Sequence, residues 1–136
     1  MFETGLLRNK RILVTGGGSG LGAAMGRRFL ELGADLVICG RKLDRLEATA
    51  AAMRAETGGR VAVVACDVRE GAAVDAMMDQ IWRTAPLDIL VNNAGGPPPG
   101  DFRDWGREQW LAALEANMLT PIELIKATVD GMAARG

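Results

Sequence analysis

The residues equipped for chemistry gather in a few short stretches, and the first is a glycine turn. Thr15-Gly16-Gly17-Gly18-Ser19-Gly20-Leu21-Gly22 follows the apolar run Ile12-Leu13-Val14 and opens an amphipathic segment. Glycine adopts backbone angles barred to other residues, and a main chain without side chains can touch a pyrophosphate. The first N–H groups of the ensuing helix then face the phosphates, and the helix dipole favours their charge. Strand, glycine turn and helix start in this order imply a dinucleotide site. Gly16, Gly18, Gly20 and Gly22 would form the turn, with Ser19 and Leu21 between them; a tight turn without a ligand is the plainer alternative.

Three further stretches carry polar groups at the ends of apolar runs. Dinucleotide sites that take NAD hold the ribose 2′-hydroxyl on an acidic residue after the second strand. Here that run ends Cys39-Gly40-Arg41-Lys42, with no carboxylate. A guanidinium grips a 2′-phosphate with paired hydrogen bonds, so Arg41 argues for NADP(H), with Lys42 as a second charge; the alternative is a solvated basic pair. Asp67, after the run ending at Cys66, could accept the exocyclic amine of adenine or cap a helix. Asn92-Asn93-Ala94-Gly95 closes the fourth run. Its small residues let a flat ring approach, although paired Asn residues also form turns.

Asn117 stands apart. It lies inside a long helical pattern, and Pro121, four residues on, has no N–H to give its carbonyl. That carbonyl needs another partner, such as water; an incidental kink is the alternative.

These residues need a scaffold, and the apolar pattern supplies one. Ile12–Thr15, Leu36–Cys39, Val61–Cys66 and Ile89–Val91 read as strands without polar alternation, as in a sheet covered on both faces. Leu21, Met25, Phe29 and Leu32 mark one helix face, stopped by Gly33. Leu43, Leu46, Ala50 and Met53 mark a second, closed by Gly58-Gly59, and Val74, Met77, Met78 and Ile81 mark a third, ended by Pro86. The last pattern runs from about Arg107 to Ala134. In it, Leu111, Leu114, Met118, Ile122, Ile125, Val129 and Met132 form a stripe expected to face the sheet, with Trp110, Leu124 and Thr128 off it. Alternating strands and helices predict a single α/β domain over residues 1–136, with a parallel sheet and helices on both faces.

Composition narrows the function. Hydrophobic residues make up 49 % of the chain, enough for a packed core, and the net charge of −1 gives no field for nucleic acid. No apolar run is long enough for a membrane span, and the N-terminus does not read as a signal peptide. Cys39 and Cys66 read as buried reduced thiols of a cytoplasmic protein, with a disulfide as the lesser alternative. With no His and no Cys cluster, no metal site is expected.

The chain resembles the short-chain dehydrogenases/reductases. The resemblance rests on Thr15–Gly22 (the TGxxxGxG turn), Asp67-Val68, Asn92–Gly95 (the NNAG strand end) and Asn117, in the family's order along the whole chain. It implies a Rossmann-type doubly wound parallel sheet, of which this chain is the N-terminal part, strands 3-2-1-4. It also implies that Gly16, Ser19, Leu21, Asp67, Val68, Asn93 and Gly95 line the cofactor, and that Asn92 helps tie the central strands. Arg41 matches the position that marks NADP-preferring members. Asn117 matches the Asn of a catalytic tetrad, whose carbonyl holds a water linking the catalytic Lys to solvent.

The family's catalytic Ser, Tyr and Lys lie beyond the point matching Gly136, and this chain contains no Tyr. The reading is therefore the cofactor-binding half of an NADP(H)-dependent oxidoreductase acting on a small carbonyl or alcohol, inactive by itself. It is expected to expose the edge of its fourth strand and to form homo-oligomers through the long fourth helix. A non-catalytic NADP-binding module or a truncated product is the competing reading. A methyl-donor-binding Rossmann domain fits poorly, for it lacks the Asn-Asn-Ala-Gly strand end and the basic Arg41 position.

Overall fold

The computed structural model describes residues 1–136. Four parallel strands, β1 (Arg11–Thr15), β2 (Asp35–Gly40), β3 (Val61–Ala65) and β4 (Ile89–Val91), form one sheet in the order β3-β2-β1-β4. Between them run α1 (Gly20–Glu31), α2 (Leu43–Thr57) and α3 (Gly71–Thr84). The β1–β2 register pairs Ile12 with Leu36 and Val14 with Ile38, and the β1–β4 register pairs Leu13 with Leu90.

Side chains alternate across the strands, so each strand feeds two cores. Ile12, Val14, Leu36 and Ile38 pack under α1 and α2 with Leu30, Leu46, Ala50 and Met53. Leu13, Val37 and Cys39 face the other way, onto Val74, Met77, Met78 and Ile81 of α3. The central strands β1 and β2 are thus dry on both faces, which is why they read as unbroken apolar runs, while β3 and β4 are only partly covered. The helix stops are where the sequence places them. Gly33 and Gly58 follow their helices in the left-handed region, and Ala85 before Pro86 is extended, as a residue preceding proline must be.

The α1 face differs from the expected one. Gly22, Ala23, Gly26 and Leu30 are buried, whereas Leu21 is exposed and Met25 and Phe29 are half-buried. Small residues let α1 lie close on the sheet: a Cβ on Gly26 would come 2.9 Å from a Leu36 methyl.

The C-terminal helical pattern also departs from expectation, in two respects. It is broken into α4 (Arg107–Leu114), a π turn (Glu115–Leu119), α5 (Thr120–Lys126) and α6 (Val129–Ala133). Pro121 cannot bond the Asn117 carbonyl, and the turn before it widens so that the Thr120 N–H reaches the Glu115 carbonyl. The second break falls at Thr128, whose hydroxyl bonds the carbonyls of Leu124 at 3.0 Å and Ile125 at 3.2 Å, competing with the helical ladder.

The expected stripe is also inverted. Thr120, Leu124 and Thr128 are buried, and Leu124 joins the α3-side core, while Leu111, Leu114, Met118, Ile122, Ile125 and Val129 are exposed. Of the predicted stripe only Met132 packs partly against that core. Apart from Leu124 and Met132 the inward side is built of small residues, and the other large apolar ones point outward. Gly131 shows the same economy of size: a Cβ there would strike the Trp82 ring of α3.

This inversion separates two substitutions. Leu124→Ala should cost about 2–4 kcal/mol through the cavity it leaves. Leu111→Ala, at a half-exposed position, should cost under about 1 kcal/mol. Urea unfolding of the two variants measures the difference, and equal costs would restore the expected orientation.

Candidate functional site

The carboxyl ends of the four strands open into one cleft of about 480 Å³. Open α/β sheets bind ligands at that edge, where crossovers leave to opposite faces. Gly16, Gly18, Ser19 and Leu21 line it from the turn, Arg41 and Lys42 from the end of β2, Asp67 and Val68 from the end of β3, and Asn93, Ala94 and Gly95 from the end of β4. Eleven of the sequence-predicted residues thus meet around one space. Gly20, Gly22, Asn92 and Asn117 do not line it.

The turn is held by contacts that leave no room for a side chain at Gly16, Gly17 or Gly22. Gly16 has φ +64°, and a Cβ there would stand 3.1 Å from the Asn93 carbonyl oxygen. A Cβ on Gly22 would fall inside the contact radius of the Gly16 carbonyl oxygen and 2.6 Å from Asn93 Nδ2. Gly22 therefore serves the cleft from behind, by letting α1 approach the turn. Gly20 has φ +53° but open space around it. The turn is anchored on its far side by Thr49 of α2, whose hydroxyl donates to the Gly18 carbonyl at 2.7 Å. Ser19 starts α1 with its hydroxyl unused by the cap and exposed, available to a ligand.

The strand-end motif is positioned by Thr15. Its buried hydroxyl accepts the N–H groups of Asn93 at 2.9 Å and Ala94 at 3.0 Å. Asn93 Nδ2 donates to the carbonyls of Thr15 at 3.3 Å and Gly16 at 3.4 Å. The tie between central strands, expected of Asn92, is made here by Asn93 and Thr15; the Asn92 side chain is exposed and engaged in no hydrogen bond within the chain.

Charge at the cleft is concentrated and mostly unpaired. Arg41 and Lys42 are joined by Arg45, one turn into α2, which the sequence reading passed over. None of the three is in an ion pair, and all are exposed. Cations at the start of a helix oppose its dipole; Asp44, in the first turn of α2, offsets part of this, and an anion bound among the three cations would offset more.

On the β3 side, Asp67 is bound by Arg69, a second residue the sequence reading missed. Arg69 donates Nε to Oδ1 at 3.0 Å, Nη2 to Oδ2 at 2.8 Å and its own N–H to Oδ1 at 3.1 Å. These hydrogen bonds from the guanidinium hold the Asp67 carboxyl down at about 2, against the opposing effect of burial. Helix capping, the alternative for Asp67, is not its role: α3 starts from Glu70. The Val68 N–H beside it is unused by any hydrogen bond within the chain.

The floor is apolar. Cys39 and Cys66 line it as free, buried thiols, so the disulfide alternative is not realised. Burial first, then its thiol neighbour, pushes Cys39 up to about 12, and burial raises Cys66. Neither is a nucleophile at neutral pH.

Asn117 lies at the centre of the π turn, beside the cleft residue Ala116, which packs on Gly95. Its side chain turns back, Nδ2 donating to the Ala113 carbonyl at 2.8 Å. No set of three His, Cys, Asp or Glu side chains converges to hold a metal ion, and no helix is long and apolar enough to cross a membrane.

The two glycines of the turn should separate by substitution. Gly20→Ala should remain folded and lose roughly 1–2 kcal/mol for the left-handed backbone. Gly22→Ala forces backbone apart and should lose well above that, about 3 kcal/mol or more. Denaturant unfolding of both checks the order; a Gly22→Ala variant as stable as Gly20→Ala would mean that the α1 approach is loose.

Comparison with known proteins agrees with this geometry. Residues 10–136 match the family model for short chain dehydrogenases. The chain is 37 % identical over 134 residues to the short chain dehydrogenase/reductase dpchG of Colletotrichum higginsianum, covering 95 % of this chain and 48 % of that protein. It is 35 % identical to the NADP-dependent 3-hydroxy acid dehydrogenase YdfG of Salmonella typhi, over 91 % of this chain and 49 % of the relative. L-Sorbose reductase from Gluconobacter frateurii, solved with NADPH and L-sorbose, superposes with a TM-score of 0.90 at 32 % identity, over 98 % of this chain and 51 % of that one. The chain spans about half the length of the relatives it matches.

Proposed function

Because the chain belongs to the short-chain dehydrogenase/reductase family, we propose that it forms the NADP(H)-holding half of an oxidoreductase acting on a small carbonyl or alcohol. The observation that carries this reading is the unpaired cluster of Arg41, Lys42 and Arg45 at one end of a cleft walled by the glycine turn and the Asn93–Gly95 strand end. An NAD site would want a carboxylate there. The NADP dependence named for YdfG and the NADPH complex of L-sorbose reductase support it.

The residues present fit such a group. The turn is bare of side chains where a pyrophosphate must approach the main chain, and Gly22 keeps α1 tight behind it. Ser19 and the first N–H groups of α1 would hold the pyrophosphate, and the three cations the 2′-phosphate. Asp67 and the Val68 N–H would take the adenine edge, and Asn93, Ala94 and Gly95 would border the nicotinamide. Bound NADPH supplies hydride from C4 of its nicotinamide. This chain's part is to bind, to orient and, with the thiol floor, to exclude water.

Catalysis needs more than these residues. Hydride arriving at a carbonyl carbon leaves negative charge on oxygen, and a positioned acid must neutralise it. The chain has neither Tyr nor His for that task. Asn117 would serve as the tetrad Asn, its carbonyl left without an i+4 donor by Pro121. The competing reading, a non-catalytic NADP-binding module, draws on the same missing acid. The outward stripe of α4 and α5, rich in Leu, Ile and Met, would join subunits. The two reduced thiols suit a cytoplasmic setting.

Arg41→Ala should weaken NADPH by about 1–3 kcal/mol, since it removes a charge-assisted partner of the phosphate, and leave NADH nearly unchanged. Calorimetric titration of both cofactors reads this directly; equal losses would remove Arg41 from the 2′-phosphate site.

The 136 residues alone should bind NADPH without reducing any carbonyl at an enzymatic rate. NADPH oxidation against a panel of ketones and aldehydes, on protein of verified mass, is the measurement. Turnover would mean that another group supplies the proton.

A further inference from the structure

We infer that Arg69 is a positioning residue for base recognition: by clamping Asp67 in a planar, two-pronged pair beside the free Val68 N–H, it makes the β3 end of the cleft read adenine. This deepens the proposed function and rests on it.

The geometry is specific. A lone carboxylate at a loop can rotate about its side-chain bonds. Asp67 cannot do so freely, because three donors from one residue fix it: the Arg69 N–H and Nε on Oδ1, and Nη2 on Oδ2. A guanidinium fork matches a carboxylate in plane, which an ammonium does not. The clamp leaves acceptor capacity, since each carboxylate oxygen has two lone-pair sites and Oδ2 receives only one donor. Arg69, in turn, directs its Nε and Nη2 groups onto Asp67. Both residues line the cleft, and the pair is only partly exposed on the Asp67 side, at 28 %.

What remains for a ligand is an acceptor on Asp67 next to a donor on Val68. The adenine edge carries an amine donor and a ring-nitrogen acceptor side by side, which is the complementary pattern. Hypoxanthine reverses both, with a carbonyl oxygen in place of the amine and a protonated ring nitrogen. It would set oxygen against carboxylate and N–H against N–H. A site built to hydrogen-bond one pattern penalises the reversed one, whose like groups it sets against each other. The low carboxyl pKa of Asp67 fits this arrangement, for it keeps the residue an acceptor throughout the working pH range.

The experiment compares NADPH with its hypoxanthine counterpart, deamino-NADPH, by direct binding to the wild-type protein and to Arg69→Met, Arg69→Lys, Asp67→Asn and the Asp67→Asn/Arg69→Met double variant. Circular dichroism confirms folding of each. Wild type should prefer adenine by about tenfold or more. Arg69→Met should bring the ratio to within roughly threefold of unity, and Arg69→Lys should fail to restore it, since a point charge does not fix the carboxylate plane. The double variant should lose no more discrimination than Asp67→Asn, as expected when one residue acts through the other. A merely structural Arg69 would lower both affinities together and leave the ratio alone. That outcome, or full discrimination in Arg69→Lys, overturns the inference while NADPH binding still supports the proposed function. A wild type that binds NADPH without discriminating also overturns it. A wild type that binds neither dinucleotide removes the functional reading and this inference with it.

Discussion

The cleft depends on one buried hydroxyl. Thr15 closes the central strand β1 with no exposed surface, and its Oγ1 takes two backbone N–H groups, of Asn93 and Ala94, as β4 leaves the ladder. It also reaches the Val91 carbonyl at 3.3 Å. Without it, two amides at the sheet end lose their partner, each at a cost of about 1–3 kcal/mol. The hydroxyl fixes where the strand-end motif stands relative to the glycine turn. Asn93 then fastens that motif to the Thr15 and Gly16 carbonyls, and Gly22 admits α1 against the same Gly16 carbonyl. Turn, strand end and helix start form one packed unit, and a ligand meets a site already assembled.

The walls around that unit divide the electrostatic labour. The floor holds two thiols kept neutral by burial, and the rim holds cations that lack carboxylate partners. The one carboxylate lining the cleft is ion-paired to Arg69, and Arg41 acts on it only as the weakest of the charges that hold it ionised. A net charge of −1 for the chain conceals this separation. Whole-chain charge therefore carried no information about the site.

The strands and most of the residues that line the cleft were legible because they depend on local signals, whereas the strand order came with the family resemblance. An apolar run ended by glycine, or by Asp-Val or Asn-Asn, reads the same in isolation as in the fold. Helix faces were less legible, for hydrophobic periodicity marks an apolar side without saying what covers it. On α1 the side pressed to the sheet includes Gly22, Ala23 and Gly26, and on the C-terminal helices the inward side carries Ala113, Ala116 and Thr120 beside Leu124. Close packing there demands small residues, which a search for large apolar ones overlooks. Arg45 and Arg69 were missed for a related reason. Each acts from just outside a motif, one turn beyond Arg41 and Lys42, and two residues beyond Asp67.

One signal for the C-terminal break did lie in the sequence, within the spacing of both faces. Outward residues fall at Leu114, Met118 and Ile122, and inward residues at Ala116, Thr120 and Leu124, each in two successive steps of four. In a regular α-helix a step of four overshoots the face by about 40°, so two steps drift by about 80°. Steps of three and four must alternate to stay on one face. The π turn at Glu115–Leu119 widens the helix where the fours fall together, and both faces stay in line across it. Pro121 explains why the helix gives way there, and the doubled spacing explains why the sequence needs it to. The widened turn sets Ala116 against Gly95 at the mouth of the cleft and places Asn117 beside it. The same irregularity thus keeps the outward stripe continuous and brings the helix to the site.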